Sequence, residues 1–523
     1  KMSWKSIHCY TFYLMNIFFV TSSTIDPIVQ TSLGRVQGIN AFSRNGRIFY
    51  SFRGIPYAMP PIGNLRFKSP HPLKSWNGMY NAQNDAPACL QKNYLFGKSS
   101  VEGSEDCLYI NIYTPKLGIK TTQYGGQLLP VMVFIHWGGF FTGYSNSNYL
   151  GPEYFMDEDV VLVSFNYRLG VLGFLSTYDD ASPGNYGLKD QLAALKWVQE
   201  NIENFGGNRH KVTLFGQSAG GASVHFHMFN PLSKDLFHQG ISESGTALAL
   251  WAKPLGKEQL QIARLQATLV GCKDSLNDTF SLVDCLRHVD AEDLVNSGDN
   301  FKYFSIDPLT VYLPSIEKKT KDNPHPFLIK EPMEYILNGD FHHIPWILGT
   351  VEDEGIIRAA GLLSQPETRI NLNKNFNDLM PNLTALFMST PKEKIQIVWE
   401  KIKNYYFGGE NSIDLNNNKT IQGLINLYTD RAFAYSLFQT ALLHSHKGHT
   451  PLWLYNFKYR GQYSYGELFA ASQENINYKW GVCHCDELIY LFKSPAIFPE
   501  LRDPNDIIIS KILISLWTNF ATY

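Results

Sequence analysis

A chain of 523 residues that is 44% hydrophobic and 14% aromatic, with Gly and Pro dispersed, can bury a large core and holds no low-complexity segment. Its formal net charge of -2, without a run of Lys or Arg, gives no electrostatic reason to bind nucleic acid or an anionic membrane surface. Length alone leaves the domain count open, but no linker or internal repeat divides the chain.

At the N-terminus, Lys1 and Lys5 precede an apolar run from Tyr10 to Val20, followed by Thr21, Ser22 and Ser23. This is the pattern of a secretory signal peptide over residues 1–23, with the mature chain running from 24 to 523. The run is short for a membrane span and Asn16 interrupts it, so no stable membrane insertion is expected once the segment is removed. A secreted, extracellular protein is the expectation. The sequons Asn277-Asp-Thr279, Asn382-Leu-Thr384 and Asn418-Lys-Thr420 fit that compartment and make Asn277, Asn382 and Asn418 candidate glycosylation sites.

Between Gly34 and Tyr57, short alternating segments predict a small N-terminal antiparallel hairpin, which Pro60 and Pro61 close off. Removal of the signal segment would take Cys9 with it; of the six cysteines that remain, Cys89 and Cys107 bracket a polar loop, Cys272 and Cys285 a shorter one, and Cys483 and Cys485 are left over. Spacing alone does not fix the pairing, but in an oxidising compartment a bridge closing such a loop contributes roughly 3 kcal/mol.

From Leu129 onward strands and helices alternate. Near-continuous apolar runs at Val131 to Ile135, Val160 to Phe165 and Val212 to Phe215 mark strands buried on both faces. Between the last two, Leu192, Ala194, Leu195 and Val198 repeat at helical spacing, and Gly206-Gly207 supplies a stop. Strand, crossover helix and strand imply a parallel sheet whose ligands bind beyond the carboxyl ends of the strands. Later strands are expected at Ile344 to Leu348 and Leu452 to Phe457, with the stretch from about 360 to 450 mainly helical.

The third apolar run leads into Gly216-Gln-Ser218-Ala-Gly220 and then into small residues that let a helix start close beneath the bend. This is the G-x-S-x-G nucleophile elbow, in which a serine hydroxyl is held exposed on a sharp strand-to-helix turn. The motif alone is weak, since it is expected by chance about 0.2 times in a chain of this length. A serine becomes a useful nucleophile only when an imidazole takes its proton and a carboxylate orients the imidazole, and in this arrangement both follow the serine in the chain. The candidates are Glu354, in the acidic turn after Ile344 to Leu348, and His484, in Gly481-Val-Cys-His-Cys485 before an apolar helix. Backbone donors for an oxyanion would come from Gly138 and Gly139, which follow the strand Val131 to Ile135, and from Ala219 after the serine.

A metal reading fails on geometry. Cys483, His484 and Cys485 are neighbours whose side chains alternate in direction, and His225 and His227 do not share a helix face.

Taken together, these segments resemble the type-B carboxylesterases of the α/β-hydrolase fold, which include the cholinesterases and the insect carboxyl and juvenile hormone esterases. The resemblance runs from about Gly34 to Phe520. It is carried by Phe52-Arg-Gly-Ile-Pro-Tyr-Ala58, Ser104-Glu-Asp-Cys-Leu-Tyr-Ile-Asn111, Asn166-Tyr-Arg-Leu-Gly170, Gly184-Asn-Tyr-Gly-Leu-Lys-Asp-Gln191, the elbow, Asp353-Glu-Gly355 and the His484 segment. It implies an α/β fold with a large, mostly parallel central sheet flanked by helices, and disulfides Cys89–Cys107 and Cys272–Cys285. It also implies a Ser218–His484–Glu354 triad, an oxyanion hole of Gly138, Gly139 and Ala219, and hydrolysis of a small hydrophobic ester with no cofactor and no metal. A catalytically silent, cholinesterase-like binding or adhesion protein is the alternative, against which the retained triad residue types stand.

Departures narrow the resemblance. Gln217 stands where cholinesterases have a glutamate, and no Trp lies between Cys89 and Cys107, so a choline ester is not expected. Trp251 resembles a residue that shapes the acyl pocket, and Trp137 stands where the family commonly has the first of three glycines; with Phe140 and Gln217 these are the candidate pocket residues. Family members continue past a segment like Trp517-Thr-Asn-Phe-Ala521 into a further strand and helix, so the chain is expected to lack its C-terminal end.

Overall fold

The apolar runs lie at the centre of a nine-stranded mixed sheet in the computed structural model of the chain, which describes residues 26–97, 100–117, 127–449, 451–470 and 478–523. The segment expected to be a signal peptide, residues 1–23, lies outside the described residues. In chain order the strands are β1 (Ile39–Phe42), β2 (Ile48–Pro56), β3 (Tyr109–Thr114), β4 (Leu129–Ile135), β5 (Val161–Phe165), β6 (Gly207–Gln217), β7 (Gln239–Glu243), β8 (Trp346–Val351) and β9 (Leu452–Phe457). Across the sheet they run β9-β8-β7-β6-β4-β5-β3-β2-β1. From β9 to β5 every pairing is parallel, and β3, β2 and β1 add antiparallel strands at the other side.

All residues of β4 and β5 are buried because both faces of the sheet are covered. Successive side chains point to opposite faces, so Met132 and Phe134 enter one core while Val131, Val133 and Ile135 enter the other. Helix α1 (Tyr186–Asn201) covers the second face through Ala194, Leu195, Trp197 and Val198. The first is covered by the helix Pro504–Thr522, with Leu513, Ile514, Trp517 and Ala521. The expected crossover helix is thus present and starts earlier, at Tyr186.

The N-terminal hairpin differs from expectation in its partner. Arg35–Gln37 joins a separate three-stranded sheet with Ile28–Gln30 and Met79–Asn81. The hairpin proper, β1 and β2, is fused to the main sheet through β2 and β3. Nothing local distinguishes the two arrangements, because a half-buried alternating strand reads the same whichever sheet it joins.

Both disulfides form, Cys89–Cys107 and Cys272–Cys285, while Cys483 and Cys485 are buried free thiols. Asn277, Asn382 and Asn418 are exposed. The edge strand β9 leaves Trp453 and Leu454 about half exposed. Between 356 and 446 the chain is largely helical, including α3 (Ile356–Ser364), α4 (Asn418–Tyr428) and α5 (Tyr435–His446). Helix α2 (Ala219–Phe229) follows β6, and behind it stands a row of three imidazoles. His225 Nε2 lies 2.9 Å from His444 Nε2, His444 Nδ1 lies 2.9 Å from His449 Nδ1, and His449 Nε2 reaches the Ile344 carbonyl.

Candidate active site

Ser218 sits between β6 and α2 at φ 56° and ψ −117°, a backbone conformation costly for a residue with a Cβ. Close packing holds it there. A Cβ on Gly216 would come within 2.6 Å of Gly220, one on Gly220 within 2.0 Å of the Ile135 carbonyl, and one on Gly245 within 2.0 Å of the Ser218 carbonyl. The Ser218 amide donates to the Glu243 carbonyl at 2.7 Å, tying the bend to the end of β7. Ser218 retains 7% exposure and opens into a cleft of about 1310 Å³, mouth included, at the carboxyl ends of the parallel strands.

His484 lines the same cleft. Its Nδ1 is 2.5 Å from Glu354 Oε2, and Glu354 Oε1 accepts from the Val351 amide at 3.0 Å, so the carboxylate is oriented from both sides. The adjacent Asp353 serves the backbone, accepting from Gln422 and from the Val482 amide, which pins the His484 segment alongside the acidic turn. With Nδ1 donating to Glu354, His484 Nε2 is left as an acceptor, and Gln217 Nε2 lies 3.3 Å from it. Gln217 Oε1 in turn accepts from Cys485 Sγ at 3.3 Å. Burial pushes the Cys483 and Cys485 thiols well above their ordinary values, so both stay protonated and neither competes as a nucleophile.

Two further carboxyls lie near Glu354. Burial raises Glu243 to about 7, and burial together with the carboxyls of Glu243 and Glu354 raises Glu487 well above its ordinary range. Both hold their protons to higher pH than an ordinary carboxyl, which limits the build-up of like charge around the His484–Glu354 pair.

Gly138 and Gly139 have φ of 111° and 58°, and a Cβ on Gly138 would lie 2.0 Å from the Thr142 carbonyl. Glycine is required at this turn. Neither amide has an acceptor among the described residues, and Ala219, first in its helix, has no intrahelical acceptor. Gly138 and Gly139 line the cleft that Ser218 lines, and Ala219 follows Ser218 in the chain, so all three are candidate donors there. The loop is held from behind by the Gly170 amide donating to Phe140 O at 2.8 Å and by Gln91 Oε1 accepting from the Gly143 amide at 2.7 Å. Gly170 follows Arg168, which binds Asp190 of α1 through two 2.7 Å contacts. Burial lowers the pKa of His136, at the loop's start, to about 4, so it is neutral and stacks on Tyr167.

Trp137 keeps an ordinary negative φ, and the left-handed positions fall on the glycines after it. Its indole lines the cleft and packs against Phe96 and Tyr465. Trp251 also lines the cleft, its Nε1 donating to the Ala432 carbonyl at 2.9 Å. Phe140 and Gln217 are fully buried and stand behind the lining, Phe140 against Phe174 and Trp251. The cleft wall is otherwise mostly apolar, with Leu95, Phe141, Leu309, Ile357, Phe433 and Phe469 among its lining. Among the described residues no group of three or more His, Cys, Asp or Glu is placed to hold a metal, and no helix is long and apolar enough to cross a membrane.

Some of this was not visible in the sequence. Gly245 could have been found, as a glycine just past an apolar strand. The π-helical turn Thr429–Ala434, which brings Arg431, Ala432 and Phe433 into the cleft, and the Arg358–Asp307 pair in its wall left no local signal.

Comparison with known proteins places this geometry. A model of the carboxylesterase family matches residues 25–523. The chain belongs to the carboxylesterase family. A juvenile hormone esterase of Tribolium castaneum is 54% identical to this carboxylesterase over 95% of the chain and 83% of the relative, and venom carboxylesterase-6 of Apis mellifera is 35% identical over 98% and 88%. The crystal structure of juvenile hormone esterase from Manduca sexta, with OTFP covalently attached, superposes with a TM-score of 0.83 at 29% identity, covering 95% of this chain and 90% of that one. The carboxylesterase is therefore an α/β-fold carboxylic ester hydrolase.

Proposed function

We propose that this carboxylesterase is a secreted enzyme that hydrolyses hydrophobic carboxylic esters through an acyl-enzyme on Ser218. The observation that carries the reading is the His484 Nδ1 to Glu354 Oε2 contact of 2.5 Å, with His484 and Ser218 lining one cleft. His484 Nε2 takes the Ser218 proton as Oγ attacks the ester carbonyl, and the oxyanion is met by the amides of Gly138, Gly139 and Ala219. The imidazolium, stabilised by Glu354, then protonates the leaving alcohol. Water enters, gives its proton to His484 and attacks the acyl carbonyl; the proton returns to Ser218 Oγ as the acid departs.

The apolar lining supports a hydrophobic substrate, and the names of the Tribolium and Manduca relatives make juvenile hormone the first ester to try. Secretion is supported by the N-terminal segment and by the two disulfides. In the deciding experiment Ser218→Ala is expected to abolish hydrolysis of juvenile hormone and of short aryl esters, and an organophosphate to label Ser218 in the parent. An adduct found on another residue would overturn the assignment.

A further inference from the structure

A buried ion pair interrupts the mostly apolar wall of the cleft. Arg358 lies in the first turn of α3, four residues after Glu354, and pairs with Asp307 from the loop before the cleft residues Pro308 to Thr310. Both side chains line the cleft, and both residues are only 7% exposed. An ion pair in such a place gains little stability, because desolvating two charges offsets most of their attraction. A structural account would need the guanidinium to be fully hydrogen-bonded. It is not: one nitrogen, Nη2, binds Asp307, and among the described residues the remaining side-chain donors have no acceptor. Arg431, the other arginine of the cleft, is in contrast committed to Thr384 O, Ala385 O and Ser389 Oγ. Tyr303, half-exposed beside Asp307 and Arg358, also lines the cleft with a hydroxyl that has no partner among the described residues.

We infer that Arg358, neutralised by Asp307, is a specificity-determining donor that binds a second, uncharged oxygen of the substrate, distinct from the oxygens of the scissile ester. This rests on the Ser218 reading and refines the substrate class to hydrophobic esters carrying an ether, epoxide, ketone or hydroxyl oxygen. Charge sets the class. Asp307 offsets the Arg358 charge, and the nearby Lys302 ammonium is committed to the Pro308 carbonyl at 2.6 Å, so the free donors left to the cleft are those of a neutralised guanidinium and suit an uncharged acceptor. The benefit is differential: an oxygen buried in a wholly apolar cleft loses its hydration without return, whereas beside a free guanidinium donor it recovers a charge-assisted hydrogen bond.

The test uses the full-length enzyme and methyl esters of equal chain length, either all hydrocarbon or with one methylene replaced by an ether oxygen at successive positions. For a cleft with no polar donor, every replacement lowers kcat/KM. The inference expects one position at which the oxygen is tolerated or preferred, and expects Arg358→Met to reduce kcat/KM for that ester, relative to the hydrocarbon ester, by about tenfold or more, mainly through KM. If the lone Asp307 prevents Arg358→Met from folding, the double substitution Asp307→Leu with Arg358→Met replaces both partners by apolar groups and is read in the same way. A uniform loss at every position in the parent, or an unchanged preference in the variants, overturns the inference. Failure of the Ser218 reading is seen separately, as hydrolysis of the hydrocarbon ester that survives Ser218→Ala.

Discussion

At the scale of single residues, two adjacent carboxylates divide their work cleanly. Glu354 touches His484, whereas Asp353 accepts from Gln422 and the Val482 amide. Glu354→Gln should leave the fold intact and lower kcat by on the order of 10³ to 10⁴, because an amide there supports the wrong imidazole tautomer. Asp353→Asn should instead lower stability by about 1–2 kcal/mol with a smaller effect on kcat. Steady-state kinetics and denaturant melts on the two variants separate the roles, and a dead Asp353→Asn beside an active Glu354→Gln would exchange them. Trp137 gives a second contrast. Since its φ is ordinary, the Gly138–Gly139 turn does not depend on a glycine there, and the indole adds bulk to the cleft wall. Trp137→Gly is expected to raise kcat/KM on a bulky ester only. An equal gain of about 100-fold on small and bulky esters alike would mean that Trp137 distorts the donors.

At the scale of elements, the sequence was most legible where an apolar strand ends in a distinctive turn. The elbow, the glycine pair and the acidic turn each follow an apolar run, so period and punctuation located β4, β6 and β8 together with Ser218, Gly138, Gly139 and Glu354. What pattern could not reveal was which elements pack behind them. Gly245 marks the limit: its place just past an apolar strand is readable, but not that a Cβ there would lie 2.0 Å from the Ser218 carbonyl. Gly245→Ala should displace the elbow and lower both activity and thermal midpoint, by several kcal/mol of stability. Gly256→Ala is a fair control, because its Cβ would meet nothing closer than 3.6 Å. Matching behaviour of the two variants would show that the elbow tolerates the added carbon. The Arg358–Asp307 pair was hidden for a different reason. Its members lie 51 residues apart, on a helix and a loop, and only the tertiary fold makes them neighbours.

At the scale of the whole molecule, the parallel half of the sheet was legible because both-face burial forces continuous apolar strands, while the edge was not, because an alternating strand accepts more than one sheet. The row of imidazoles behind α2 has a consequence for the same scale. The Ala247 amide donates to His225 Nδ1 at 3.2 Å, and the Ile344 carbonyl accepts at the far end, so every proton in the row has one allowed place and all point the same way. Such a file of one-way bonds tolerates no additional proton: a cation on any ring turns an acceptor into a donor and sets two hydrogens face to face. Burial accordingly keeps all three rings below the ordinary histidine value, His444 at about 3. The unfolded chain takes up protons that the folded chain refuses, so this contribution to stability is complete above about pH 6.5 and is progressively lost as pH falls toward 3. Thermal midpoints measured from pH 7 to pH 4 should fall, with a shallower slope in His444→Gln; a parent curve as shallow as that of the variant would sink the idea. Ala247 is two residues from Gly245, whose missing Cβ makes room for the Ser218 carbonyl, so mild acid should loosen the floor under Ser218 before the sheet itself gives way.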